Sequence, residues 1–214
     1  MKNLLIVMVC FILNSCASVK KFKPYSDEMP LNEKNISQNL EVKKDEFKKV
    51  TFVTPVSRFV GFDRASQGVI FAPYVGYDHK TKNKYYRLKV TYGGNGWLFM
   101  RSLHIICQDG YEYKKSFPPL TVNREVVYGS RIAEIIDYSP SKVAIKKLSE
   151  CASGKVRLNG KTAYFEQEFN LQDATYFKEA RFVWKNMSLG DVHGLGKVKR
   201  EVAEEKKKKS NKPY

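Results

Sequence analysis

The sequence predicts an α+β domain, mainly antiparallel β, as a sheet or sandwich with two short helices packed on it. Three observations predict this: apolar residues recur at every second position in several short runs, Gly, Asn and Asp punctuate those runs, and only two segments keep helical spacing. From Val50 the chain turns strand-like, with Val50, Phe52, Thr54 and Val56 on one face and Pro55 confining the strand to an edge. Residues 69–77 (VIFAPYVGY) form a second apolar run, in which Pro73 suggests an edge or a bend. Residues 85–92 (YYRLKVTY) alternate most clearly: Tyr86, Leu88, Val90 and Tyr92 face one way, Arg87, Lys89 and Thr91 the other.

The glycines of "GGNG" at 93–96 accept positive φ and predict a hairpin into a central strand over residues 97–107. "QDG" at 108–110 turns the chain again, so three successive strands read as an antiparallel meander. Beyond Pro118 and Pro119, residues 124–138 read as a long strand or bent pair with a bulge at Gly129. Ser139 and Pro140 mark a helix start; the helix runs to about Ala152, with Ala144, Ile145, Leu148 and Cys151 on one side and Gly154 as a left-handed stop. Asn159 and Gly160 centre a hairpin whose second arm alternates at Ala163, Phe165, Gln167 and Phe169. A second helix, about residues 173–187, carries Tyr176, Ala180, Val183, Trp184 and Met187 at the spacing of a sheet-packing face.

The N-terminus has the layout of an export signal: Lys2, an apolar run over residues 4–13, then Asn14, Ser15, Cys16, Ala17 and Ser18. As a helix the apolar run spans about 15 Å, half the hydrocarbon core, so a permanent membrane span is not predicted. Leu13, Asn14, Ser15 and Cys16 resemble the lipobox of bacterial lipoproteins. The resemblance implies removal of residues 1–15, a lipid (palmitate-type acyl chains) on Cys16, and, from Ala17, outer-membrane sorting in a Gram-negative cell. An ordinary secretory signal cut near Ser18 and an uncleaved anchor are the alternatives. Residues 16–48, rich in Lys, Glu, Asp, Asn and Ser, read as a flexible tether, residues 49–189 as the globular domain, and residues 190–214 as a basic tail. The order of pieces from "VTYGGNGWLFM" to "VRLNGKTAYFEQEF", roughly residues 85–185, also resembles uncharacterised small bacterial lipoproteins, and that resemblance implies no activity.

The formal net charge is +16, or +15 once Lys2 leaves with the signal. In an exported protein this charge points away from nucleic acid and toward lipid head groups, wall polymers or another envelope component. Lys206, Lys207, Lys208 and Lys209 form a run suited to an anionic surface, with a solvated tail as the plainer reading.

Residues able to carry chemistry are few. His79, His104 and His193 each read as solvated or structural, and His104 and Cys107, three apart in a strand, point to opposite faces and do not share a metal. No nucleophile elbow, zinc signature or phosphate-cradling loop occurs, so no catalytic residue, metal or cofactor is assigned. Glu134 and Asp137 are the carboxylates of an apolar strand, on opposite faces; for Glu134 a rim ion pair with a lysine is the simpler reading and a functional acid the sharper one. Trp97 and Trp184 suit a glycan or lipid groove, or, more simply, the core. Cys107 and Cys151 form either a disulfide or two buried thiols. These readings describe a lipid-anchored envelope protein that binds or supports something without catalysis; the alternative is an envelope hydrolase or a lipoprotein that binds a small ligand.

Overall fold

The computed structural model describes residues 40–55, 67–127 and 131–191. In chain order the elements are β1 (Leu40–Asp45), β2 (Val50–Pro55), β3 (Gly68–Asp78), β4 (Lys84–Gly94), β5 (Ser102–Cys107), β6 (Glu112–Ser116), β7 (Asn123–Val126), β8 (Ile132–Tyr138), α1 (Lys142–Glu150), β9 (Gly154–Asn159), β10 (Tyr164–Phe169) and α2 (Leu171–Asn186). They form a six-stranded sheet of order β1-β2-β3-β4-β8-β7 and a four-stranded sheet of order β10-β9-β5-β6. All strand pairs are antiparallel. The domain is therefore α+β, with β structure dominant.

Side-chain alternation decides how these layers meet. In β3 and β4, Val69, Phe71, Leu88, Val90 and Tyr92 share a core with Leu103 and Ile105 of β5 and Val156 and Leu158 of β9. Farther along the same face of the large sheet, Val75, Tyr77 and Tyr86 pack with Ile145 of α1 and Ala180, Val183 and Met187 of α2. One face of the large sheet is thus covered by the small sheet at one end and by the helix pair at the other. Cys107 ends β5, Cys151 caps α1, and the two are joined by a disulfide with Cα atoms 5.5 Å apart, tying the small sheet to the helices.

Several expectations hold in detail. β4 buries Tyr86, Leu88, Val90 and Tyr92, the "QDG" turn joins β5 to β6 with Gly110 at φ 84°, and β9 and β10 form the hairpin around Asn159 and Gly160. Others change. β1 lies inside the segment read as a tether: only Leu40 and Val42 mark its inward face, too few to stand out among charges. β2 is internal, with Thr51, Val53 and Pro55 buried and Phe52 and Thr54 facing out; Pro55 is tolerated because β3 pairs only as far as Val53. β3 is internal too, and Pro73 stands where its β2 side is open.

The largest correction concerns residues 93–101. Gly93 and Gly94 belong to β4, which pairs with β3 and β8, and the chain then crosses to β5 in the other sheet instead of forming a hairpin. The expected three-strand meander is replaced by a change of sheet. The bent pair over residues 124–138 is the β7–β8 hairpin, and Gly129 lies outside the described residues. Helix α1 starts two residues later than expected, since Ser141 supplies the cap and its Oγ accepts from the Ala144 amide at 3.2 Å. Gly154 opens β9 instead of stopping a helix; a Cβ there would collide with the Ile106 carbonyl.

The disulfide spans 44 residues, a loop whose closure stabilises the fold by about 4 kcal/mol in the chain-entropy model. Oxidised native protein is expected to show no alkylatable thiol at Cys107 or Cys151 by mass measurement. The Cys107→Ser, Cys151→Ser double variant is expected to melt well below the wild type; an unchanged melting temperature would contradict the assignment of stability to this bridge.

Candidate functional site

The crossing between β4 and β5 passes over the inward face of β8, where alternation points Ile132, Glu134, Ile136 and Tyr138 at the core. A carboxylate in that position is costly unless its oxygens are filled. Glu134 is fully buried, and its Oε1 accepts from the amides of Leu98 (2.6 Å) and Phe99 (2.7 Å) while Oε2 accepts from that of Met100 (2.7 Å). Arg124, directly opposite on β7, brings its Nε to 3.5 Å from Oε2. Three charge-assisted amide bonds and a guanidinium satisfy the carboxylate and fix the crossing backbone at three successive residues.

The fixed backbone is strained. Phe99 has φ 54°, a left-handed conformation that costs a residue with a Cβ about 1–2 kcal/mol. Strain of this kind persists where the surroundings over-determine it, and here the three bonds to Glu134 do so. The result is a division of side chains. Leu98 and Met100 enter the core, whereas Trp97 is 38 % exposed and Phe99 44 %. Their ring centroids stand 6.4 Å apart with planes inclined at 37°, and the Arg124 guanidinium lies over the Phe99 ring at 5.4 Å. The same Arg124 places Nη1 3.4 Å from the carbonyl of Pro119, next to Leu120, which is wholly exposed; Val126, two residues along β7, is exposed as well. Trp97, Phe99 and the stacked Arg124 form a ledge, with Leu120 and Val126 exposed in the segment that carries Arg124.

No family model, curated protein or solved structure matches this chain. The site therefore rests on geometry and residue chemistry. Glu134 is neither a rim ion pair nor an available acid: it sits in the core, its chief partners are backbone amides, and its cationic neighbour is an arginine. Trp97 departs from the expectation of core packing, while Trp184 packs against the helix-side core, its ring edge-on to Tyr86. Asp137 faces outward as expected, accepting from Arg87 Nε at 3.0 Å and from the Tyr74 hydroxyl at 2.6 Å. Burial first, and then this carboxylate, push the Tyr74 hydroxyl well above its ordinary range.

His104 and Cys107 do lie on opposite faces: the His104 ring meets Glu112 at 3.2 Å on the outer side of the small sheet, between Lys114 and Arg157 on the neighbouring strands. His79 meets the Thr51 hydroxyl at 2.8 Å. A cavity of about 10 Å³, room for one water, lies beside the disulfide among Phe71, Ile105, Leu148, Tyr176 and Phe177, and neither His104 nor Glu134 lines it. Cys16, His193 and the run Lys206, Lys207, Lys208 and Lys209 lie outside the described residues.

Sequence reasoning missed the ledge because "WLFM" is apolar on both faces, which reads as a central strand. A usable signal was present: an acid at an inward position of an apolar strand must find donors, and a nearby irregular backbone supplies them.

Two substitutions separate the clamp from the ring it presents. Glu134→Gln exchanges a carboxylate oxygen for an NH₂ facing an amide donor and is expected to destabilise the domain by about 3 kcal/mol, read from denaturant unfolding. Phe99→Gly removes an exposed ring and relieves the left-handed strain, so stability is expected to stay within about 1 kcal/mol of wild type. A loss of several kcal/mol in Phe99→Gly would show that the ring holds the fold and is not a presented group.

Proposed function

We propose that this chain is a lipid-anchored bacterial envelope protein that works as a non-enzymatic binding or structural module, with the Trp97–Phe99 ledge as its presented surface. The observation that carries the reading is the strained, fully hydrogen-bonded crossing: a buried carboxylate is committed to holding two aromatic rings toward solvent. Structural need alone would favour glycine at position 99 and a polar side chain at 97. The Cys107–Cys151 bridge supports placement outside the reducing cytoplasm, in agreement with the export-signal layout and the lipobox-like residues Leu13 to Cys16. Nucleic acid is not the partner in this reading; the +16 charge serves anionic envelope surfaces.

For the alternative of a hydrolase or small-ligand binder, the cavity beside the disulfide is lined by neither Glu134 nor His104. Glu134 is engaged by three amides and an arginine, and His104 meets Glu112 at 3.2 Å on the outer face of the small sheet, beside the Lys114–Glu112 and Arg157–Glu166 ion pairs.

Metabolic labelling tests the anchor. Wild-type protein is expected to incorporate labelled palmitate, partition with the membrane fraction and show a mature N-terminus at Cys16 bearing acyl chains by mass spectrometry. Cys16→Ala is expected to lose the label. Unlabelled wild-type protein recovered in a soluble envelope fraction would overturn the lipid-anchor reading.

A further inference from the structure

We infer that the Trp97–Phe99 ledge is a second, reversible membrane contact, inserting its rings at the head-group level of an anionic lipid surface. The inference rests on the lipid-anchor reading and names the partner of that same surface. Twenty-three residues, 17–39, separate Cys16 from the start of β1, and a chain of that length reaches about 80 Å at most. A domain held at that distance meets the bilayer at high effective concentration, so a small apolar contact suffices.

The chemistry of the ledge suits an interface. The Trp97 and Phe99 rings supply apolar surface for the head-group boundary, Leu120 and Val126 are exposed on either side of Arg124 in sequence, and the Arg124 guanidinium stacks on the Phe99 ring while its Nε stays with Glu134. Charge complementarity specifies the lipid. Arg101, one residue past Met100, and Lys161, whose amide donates to the Leu98 carbonyl at 3.0 Å, are exposed residues of the segments that adjoin the crossing, and the Arg124 guanidinium stacks on the Phe99 ring. Phosphatidylglycerol-type head groups are the natural counterpart of exposed rings on a chain of net charge +16 with arginine and lysine in the segments beside them. The rigidity of the crossing fits this role, since rings fixed by the Glu134 clamp lose little freedom on insertion.

The chain has two tryptophans, which makes the contact directly readable. Full-length protein carrying Trp184→Phe, purified from bacterial membranes in its processed form, is reconstituted into phosphatidylethanolamine–phosphatidylglycerol vesicles with and without brominated phosphatidylcholine. Trp97 emission is expected to shift to the blue and to be quenched by the lipid-borne bromine, with little quenching by aqueous iodide. The Arg101→Gln, Lys161→Gln double variant, which leaves the Glu134 clamp intact, and replacement of phosphatidylglycerol by neutral lipid are each expected to weaken the bromine quenching. The Trp97→Phe chain, reporting Trp184, is expected to stay insensitive to bromine, and circular dichroism of the Trp184→Phe chain matching wild type controls for its fold.

Vesicle-associated protein whose Trp97 is quenched by iodide and not by bromine would overturn the inference while leaving the anchor standing. Bromine quenching of equal strength in neutral vesicles would overturn the assignment to anionic lipid. Protein that lacks acyl chains at Cys16 and fails to float with vesicles would instead remove the anchor reading on which the inference rests.

Discussion

The placement of one carboxylate governs how this fold changes sheets. Glu134 occupies an inward position on β8, where Ile or Val would be expected, and its two oxygens collect the amides of Leu98, Phe99 and Met100. Without those donors the residue would be a buried, uncompensated charge. Without the carboxylate, three successive amides of an irregular segment would lie against the core unpaired. Each side therefore requires the other, and the crossing from the large sheet to the small one takes a single path. Strain at Phe99 and exposure of Trp97 and Phe99 are consequences of that path.

The rest of the architecture is arranged around the face that Glu134 helps to close. The small sheet covers one end of the large sheet, the α1–α2 pair covers the other, and the Cys107–Cys151 bridge links these two covers. The helices are fastened to each other by Arg181, whose Nη1 reaches the Ser149 hydroxyl at 2.9 Å and Glu150 Oε1 at 3.4 Å, and to the sheet by the Tyr77 hydroxyl, which donates to the Met187 carbonyl at 3.0 Å. The opposite face of the small sheet is a ladder of ion pairs, Lys155–Glu168, Arg157–Glu166 and Lys114–Glu112, which keeps it solvated. The ledge differs from that surface in kind: two exposed rings and a stacked arginine stand where the ladder has alternating charges.

Where one face is buried and the other wet, the sequence was readable. β4 and the β9–β10 hairpin follow period-2 alternation closely, and Tyr176, Ala180, Val183 and Met187 announced the packing face of α2. Reading failed where local pattern does not determine partners. The glycines at 93 and 94 permit a hairpin equally well as two strand residues, and only the long-range pairing of β4 with β8 decides between them. β1 has two inward apolar residues among charges, and Pro55 and Pro73 look like edge markers although each sits at a locally open stretch of an internal strand. Of the site, the inward phase of Glu134 was legible from "RIAEIIDY", whereas its amide partners, 34 to 36 residues earlier in the chain, were not. Ring exposure at Trp97 and Phe99 follows from those partners and was hidden with them.

Hydrogen exchange of individual amides, followed by NMR, reads whether Glu134 locks the crossing. The amides of Leu98, Phe99 and Met100 lie outside any strand, yet they are expected to exchange as slowly as those of β4 and β8 and to speed up selectively in Glu134→Gln. Rapid exchange at all three positions in the wild type, at the rate of an exposed loop, would contradict a locked crossing.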